Sequence, residues 1–124
     1  MKNEYLAKHL MIEIINSSNL NDPELMEKFL NNAAHLFGSE ILVLKDYQFQ
    51  PHGLSALMIM PESHIAVHTW PEYQFASMDI FLKANSEPNQ SLPLIKEYFH
   101  PKDCLLYTSP SPRDRTRSRT PSSA

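Results

Sequence analysis

Four strand-like runs separated by very short connections constrain the fold of this chain more than any other feature. The runs are rich in apolar and β-branched residues, and a proline lies in each break. The predicted strands span residues 40–49, 54–60, 65–70 and 75–82. Such short connections favour antiparallel neighbours, because a parallel crossover needs about a dozen residues or more. The middle of the chain is therefore predicted to form an antiparallel meander.

Further elements are predicted on both sides of this meander. A first strand is expected over residues 5–15. Asp22 is a good N-cap and Pro23 suits the first helical position, so residues 23–37, with apolar residues at helical spacing, are predicted to form an amphipathic helix. A second helix is predicted over residues 92–99. The expected fold class is α+β, a two-layer sandwich with helices on one face of an antiparallel sheet.

Length and composition limit the class of protein. The 124 residues fit one domain. No apolar run approaches the ~20 residues that span a bilayer, and the N-terminus lacks the apolar segment of a signal peptide, so the sequence predicts a cytoplasmic protein with no membrane partner. The single cysteine, Cys104, excludes an internal disulfide and a multi-cysteine metal site, and no metal is expected.

Charge divides the chain into two unequal parts. Residues 1–103 carry seven lysines, thirteen acidic residues and no arginine, a formal charge of −6, whereas residues 104–124 carry four arginines and one acid, a charge of +3. The tail has no apolar periodicity after Tyr107 and is predicted to be disordered. An Arg/Ser stretch can bind RNA, but the start of this tail looks like the translation of a sequencing-library adapter. We therefore expect a C-terminally truncated domain over residues 1–103, a non-native tail over residues 104–124, and no nucleic-acid partner.

Residues 62–72 carry the chemistry-bearing motif, Glu-Ser-His-Ile-Ala-Val-His-Thr-Trp-Pro-Glu. It places Ser63 between a carboxylate and a histidine, with a second histidine, His68, five residues further on. A nucleophile and bases in one short run suggest attack on the chain's own backbone. A serine and a histidine at this spacing are often a chance pair, so the argument depends on the whole string.

The eleven-residue string closely resembles the processing site of the prokaryotic S-adenosylmethionine decarboxylase proenzymes, which cut themselves before a serine to make a pyruvoyl cofactor. The resemblance covers about residues 5–100. Outside the string it includes Phe49, Pro51, Gly53, Ser55, Asp79 and Phe81, and more weakly His9 and Leu10. It implies a homodimer that converts S-adenosylmethionine to its decarboxylated form for spermidine biosynthesis.

The resemblance also implies roles for individual residues in processing. Ser63 Oγ attacks the carbonyl of Glu62, the chain is cut between these two residues, and Ser63 becomes the pyruvoyl group. His68 is the implied base that removes the Ser63 α-proton, and Ser55 donates a hydrogen bond to the oxyanion formed during attack. His64 is expected to shape the turn at the cleavage site.

Three more residues are implied to bind the substrate. Phe49 and Trp70 are the expected apolar walls around the adenine, and Glu72 is the expected acceptor for the ribose hydroxyls. Without the resemblance, Ser55 is an ordinary polar strand residue, and Trp70 is an ordinary core residue that buries much apolar area.

The sequence departs from the family pattern at the proton donor. The family's Asp-x-Phe-Thr-Cys-Gly is here Asp-Ile-Phe-Leu-Lys-Ala, so Lys83 stands where a catalytic cysteine is expected. Lys83 is therefore a candidate catalytic residue with three possible behaviours: if buried it could supply the proton, if neutral it could condense with the pyruvoyl carbonyl, and as an ammonium it could repel the sulfonium of the substrate. A pyruvoyl-dependent arginine or ornithine decarboxylase and a catalytically inactive regulatory homologue stay open as alternatives.

Overall fold

Six strands form one antiparallel sheet in the computed structural model, which describes residues 7–109. The order across the sheet is β2-β3-β4-β5-β1-β6, and all neighbours are antiparallel. The first strand of the chain thus lies inside the sheet, next to the meander that the sequence predicts. The strands are β1 Ala7–Ile15, β2 Val43–Gln48, β3 Leu54–Met60, β4 Ser63–Trp70, β5 Phe75–Lys83 and β6 Asp103–Ser109.

Two helices cover one face of this sheet, α1 at Pro23–Leu36 and α2 at Leu92–Phe99. Asp22 caps α1 as predicted, since its carboxylate accepts a hydrogen bond from the backbone N–H of the third helical residue. Gly38 follows the helix with φ +65°, and the surrounding hydrogen bonds form a Schellman motif, which requires a left-handed residue at this position. The predicted α+β class with helices on one face is confirmed.

The hydrophobic core lies between the helices and the sheet, and alternation along the strands decides which side chains enter it. Every second residue of β1, β3, β4 and β5 is buried against the helices, and each such large apolar side chain stabilises the fold by about 1.5–3 kcal/mol. Among the described residues no helix covers the opposite side, which we call the open face. The open face includes His9, Met11, Glu13, Ile15, Val43, Lys45, Tyr47, Ser55, Leu57, Ile59, His64, Ala66, His68, Trp70, Phe75, Ser77, Asp79, Phe81 and Lys83.

The β3–β4 turn differs from its predicted form. β4 begins at Ser63, which pairs with Met60, so the turn has only two residues rather than the four expected. Polar residues after a proline suggested a longer turn, but cross-strand pairing extends the strand through them. The prediction that His64 shapes the turn is wrong, because His64 lies within β4 and its ring stacks on that of Phe81 at 5.3 Å between centroids.

The predicted boundary after residue 103 also differs. Asp103–Ser109 forms β6, which pairs with the outer edge of β1, so residues 104–109 are a strand and not a disordered segment. This pairing satisfies backbone groups that an uncovered edge of β1 would leave open. The rest of the tail, residues 110–124, lies outside the described residues, as do the first two residues of the predicted 5–15 strand.

Two negative findings apply to the described part of the chain. Neither α1 nor α2 has the length and apolar character needed to cross a membrane. Within residues 7–109, no group of three or more His, Cys, Asp or Glu side chains is placed to hold a metal ion.

Candidate active site

A cleft of about 550 Å³ lies at one end of the open face, where β3 begins and β4 ends. It is lined by aromatic side chains, by a hydroxyl–imidazole pair and by a carboxylate. The structure thus brings together five of the residues that the sequence singles out: Phe49, Ser55, His68, Trp70 and Glu72.

The loop between β2 and β3 positions Phe49 at this cleft. Gly53 has φ +112°, and a Cβ there would lie 3.4 Å from the carbonyl oxygen of Thr69, so a side chain would be strained. The Gly53 N–H donates to Asn21 Oδ1 at 2.9 Å, and the Phe49 N–H donates to the Gly53 carbonyl at 2.8 Å. These contacts close the loop and fix it to Asn21 before α1, and the Phe49 ring stays exposed at the cleft.

Ser55 and His68 are direct cross-strand partners on the open face, and Ser55 Oγ lies 2.8 Å from His68 Nδ1. If Nδ1 is protonated and donates a hydrogen bond to Ser55 Oγ, the Nε2 lone pair is free to act as a base. In the same arrangement the Ser55 hydroxyl keeps its own proton for a developing oxyanion. The two roles that the resemblance implies are therefore compatible within one hydrogen-bonded pair.

Ser63 and Lys83 lie together at the opposite end of β4. The backbone N–H of Lys83, the last residue of β5, donates to Ser63 Oγ at 3.3 Å. Both residues line a smaller cavity of about 220 Å³, whose apolar walls include Met60 and Leu82. Lys83 is exposed. It therefore lacks the burial on which its predicted role as a proton donor depends.

The backbone is strained directly before Ser63. Pro61 and Glu62 form the two-residue turn, and Glu62 has φ +58°, a left-handed conformation that a glycine or asparagine adopts far more readily. A proline followed by a left-handed residue matches a type II turn, whose twist also suits a two-residue hairpin poorly. The peptide bond to Ser63 therefore follows a residue, Glu62, that is held in an unfavourable conformation.

One chain does not bring Ser63 near His68. The two residues are five positions apart on β4, which corresponds to about 16 Å along a strand. They also point to opposite sides of the sheet, because Ser63 pairs with the buried Met60 whereas His68 pairs with Ser55 on the open face. The predicted site residues thus form two separate groups within a single chain.

The other residues that carry the resemblance form an aromatic row on the open face. His9 forms a hydrogen bond with Asp79, and Phe81 lies between the rings of His9 and His64, at 5.8 and 5.3 Å between centroids. The row joins β1, β5 and β4 side by side near Ser63. It supports the end of the sheet at which the strained turn begins.

Sequence reasoning missed His52. Its Nε2 lies 3.1 Å from Glu72 Oε1, and both residues line the 550 Å³ cleft. The only signal in the sequence is its position inside the Phe-x-Pro-x-Gly-x-Ser segment, where it fills one of the unspecified positions. The contact joins residues twenty positions apart, so it becomes visible only once the loop and β4 are placed together.

Comparisons with known proteins agree on one family. A family model described as S-adenosylmethionine decarboxylase matches residues 8–110. The S-adenosylmethionine decarboxylase proenzyme of Methanococcus maripaludis is 34% identical over 100 residues, which cover 78% of this chain and 82% of that protein. The proenzyme of Bacillus velezensis is 31% identical over 99 residues, covering 78% and 79% respectively.

A solved structure shows the same fold. The crystal structure of the adenosylmethionine decarboxylase from Aquifex aeolicus aligns with a TM-score of 0.79 over 95% of this chain and 100% of that chain, at 21% identity. The resemblance first seen in the motif around Ser63 is thereby confirmed. This chain belongs to the S-adenosylmethionine decarboxylase family.

Proposed function

We propose that this chain is a self-processing, cytoplasmic S-adenosylmethionine decarboxylase whose product serves spermidine biosynthesis. The observation that carries the proposal is the hydrogen-bonded Ser55–His68 pair, which opens into a cleft with two aromatic walls and a carboxylate. A base, an oxyanion donor and a nucleoside-sized cleft are what such a reaction needs in one place. Family membership supports the reaction class.

Processing begins at the strained turn. Ser63 Oγ attacks the carbonyl carbon of Glu62, the peptide nitrogen leaves, and the amide becomes an ester. A left-handed non-glycine residue costs on the order of 1–3 kcal/mol, and part of that cost is released when the peptide bond at Glu62 breaks. Removal of the Ser63 α-proton then expels the Glu62 carboxylate, and hydrolysis of the resulting dehydroalanine gives pyruvoyl and ammonia.

Two chains together would complete the site. A base must come within hydrogen-bond reach of the proton that it removes, and His68 of the same chain is about 16 Å from Ser63. We propose a homodimer in which the Ser55–His68 pair of each protomer acts on Ser63 of its partner, which a twofold axis repeats to give two sites. The open face supports association of two protomers, since it exposes apolar side chains at Met11, Tyr47, Leu57 and Trp70, but the Ser63 side chain lies on the opposite side of the sheet, so the partner's pair would have to reach it around the end of β4.

The cleft suits the nucleoside part of the substrate. Phe49 and Trp70 are 47% and 41% exposed, so their ring faces are free to stack on adenine. Glu72 lines the same cleft, where its carboxylate would accept hydrogen bonds from the ribose hydroxyls and attract a sulfonium. The Ser55–His68 pair lines the same cleft.

The residues around Ser63 fit a pyruvoyl group. Met60 and Leu82 give the cavity apolar walls that would suit the methyl carbon derived from Ser63 Cβ, while the Lys83 N–H contacts the Oγ that leaves with the Glu62 carboxylate. When present, the group supplies an electron-withdrawing ketone that accepts the electrons released with carbon dioxide. Lys83 stands where the family resemblance implies the proton donor, but as an exposed ammonium it would deliver a proton to the substrate carbon less readily than a thiol.

Lys83 is also the reason to consider a second candidate function, decarboxylation of arginine or ornithine. Lys83 lines the Ser63 cavity where the family resemblance implies a cysteine, and this altered site could accept arginine or ornithine, although all three compounds carry both a carboxylate and a cationic group, so charge alone does not choose among them. Side-by-side release of carbon dioxide from the three compounds separates these candidates. Turnover of only arginine or ornithine would replace the first proposal. An inactive regulatory homologue is disfavoured, because it has no need for Ser63 beside a strained turn.

Intact mass under denaturing conditions tests self-processing. We expect two fragments cut between Glu62 and Ser63, the second with a pyruvoyl group at its N-terminus. The matched Ser63→Ala chain should stay whole. A wild-type chain that also stays whole would overturn the self-processing proposal and favour the regulatory homologue.

A further inference from the structure

The cleft contains a contact that the processing and decarboxylation steps do not use. His52, in the β2–β3 loop, approaches Glu72, in the short 3-10 turn Pro71–Tyr73, with 3.1 Å between Nε2 and Oε1. The separation is an ion-pair distance without hydrogen-bond geometry, and because a carboxylate oxygen only accepts, attraction between the two groups needs a proton on Nε2.

We propose that His52 is a positioning residue that orients the Glu72 carboxylate to recognise the ribose diol of the substrate, an inference that rests on the proposed nucleoside-binding cleft. Glu72 is exposed and has three rotatable side-chain bonds, so an unrestrained carboxylate loses conformational entropy when a ligand fixes it. In residues 7–109, His52 is the only side chain that forms an ion pair with Glu72. With Oε1 engaged by His52, Oε2 is directed to the hydroxyls of a bound nucleoside.

The surrounding contacts argue against a merely structural role for His52. The loop is already anchored by the Gly53 N–H on Asn21 and by the Phe49 N–H on the Gly53 carbonyl. The short turn that carries Glu72 is closed by its own hydrogen bond, from Gln74 to Pro71. Neither segment needs the His52–Glu72 contact to keep its place.

The exposure of the His52 and Glu72 side chains limits how much affinity their contact can contribute. The His52 and Glu72 side chains are 36% and 41% exposed, so solvent screens their interaction. An exposed pair contributes at most about 1 kcal/mol, which corresponds to a loss of about three- to fivefold in nucleoside affinity when His52 is removed. The loss should vanish for a ligand without the diol.

The test measures binding of adenosine and of 2′,3′-dideoxyadenosine to the full chain. Trp70 is the only tryptophan of the chain and lines the cleft, so its fluorescence reports occupancy directly. The variants are His52→Ala, His52→Gln, whose amide nitrogen can take the place of Nε2, and His35→Ala, a surface control on α1. We expect His52→Ala to lose affinity for adenosine only, His52→Gln to recover most of it, and His35→Ala to match the wild type.

Each other outcome has a distinct meaning. Equal losses for both ligands in His52→Ala would show that His52 shapes the cleft and would overturn the inference. Unchanged adenosine binding in His52→Ala would also overturn it, while the nucleoside cleft itself would stand. A wild-type chain that binds neither ligand would overturn the nucleoside-binding part of the proposed function, and the inference with it.

Discussion

Lys83 stands where the resemblance to the family implies a catalytic cysteine, and its surroundings restrict what the lysine can do. Its backbone N–H contacts Ser63 Oγ, and this contact is independent of the side chain. Lys83 is exposed and lines the Ser63 cavity, while alternation with the buried Leu82 turns its side chain towards the open face. A substitution at position 83 therefore changes the charge and acidity at the cavity while leaving the backbone contact in place.

We expect Lys83→Cys to raise decarboxylation of S-adenosylmethionine by about tenfold or more. Thiols have a reference pKa of ~8.5 and ammonium groups ~10.4, so a thiol delivers a proton more readily near neutral pH, and a well-placed proton donor contributes about 10²–10⁴-fold. The measurement is the release of carbon dioxide per processed chain. Lys83→Ala is the control, because it removes the cation without supplying an acid.

The two variants separate two explanations. A gain in Lys83→Cys alone identifies a missing acid, whereas an equal gain in both variants identifies repulsion of the sulfonium. An unchanged or lower rate in Lys83→Cys contradicts the prediction and favours a different substrate.

Between the elements, two carboxyl groups meet where α1 faces β2. The hydrogen bond to Asp46, followed by repulsion from its charge, raises the pKa of Glu27 above its ordinary value of 4.5. The native state therefore holds the Glu27 proton more tightly than the unfolded state does. By linkage, this pair lowers stability as the pH rises from about 4.5 through the raised pKa of Glu27, and the penalty is absent at lower pH.

Glu27→Gln should remove this penalty, because an amide keeps a donor for Asp46 without a second charge. We expect a higher midpoint of thermal unfolding than that of the wild type at pH 7 and no such gain at pH 4. Circular dichroism at both pH values makes the comparison, with Glu97→Gln, an exposed acid on α2, as the control. An equal gain at both pH values would contradict the electrostatic origin.

The elements that the sequence predicted well are those whose local signals agree with their packing. The cap at Asp22 and the apolar runs that form β3 and β5 have local causes. The left-handed Glu62 was not predictable, since glutamate is unfavourable there and only the pairing of Met60 with Ser63 enforces it.

Contacts between distant segments explain the remaining differences. β6 depends on the free edge of β1 and not on its own composition, which had suggested disorder. In the candidate site, the motif indicated Phe49, Ser55 and Glu72, but it carried no information about the contact of His52 with Glu72. The motif also did not indicate that Ser63 and His68 lie on opposite sides of one sheet.

At the scale of the whole molecule, the proposed active site shared between two protomers would let two defective chains restore each other's processing. We expect Ser63→Ala and His68→Ala chains each to stay uncut alone. In a mixed dimer, Ser63 of the His68→Ala chain meets the intact Ser55–His68 pair of its partner, so half of the sites are complete. Co-expression followed by intact mass should reveal fragments of the His68→Ala chain only.

The fragment that begins at position 63 carries the substitution at position 68, so its mass identifies which chain was cut. Cleavage of the His68→Ala chain on its own would rule out His68 as the required base. A mixture in which no chain is cut would contradict the shared site, and co-expressed wild-type chains serve as the positive control.

The strand order has a further consequence once the backbone is cut after Glu62. The first fragment would contain β1, β2 and β3, and the second β4, β5 and β6, yet β1 lies between β5 and β6. The fragments would thus be interlocked through three strand pairings, and neither could leave without dismantling the sheet. The mature molecule should melt as one unit despite its severed chain, and its refolding should depend on concentration, because it has become an association of two polypeptides.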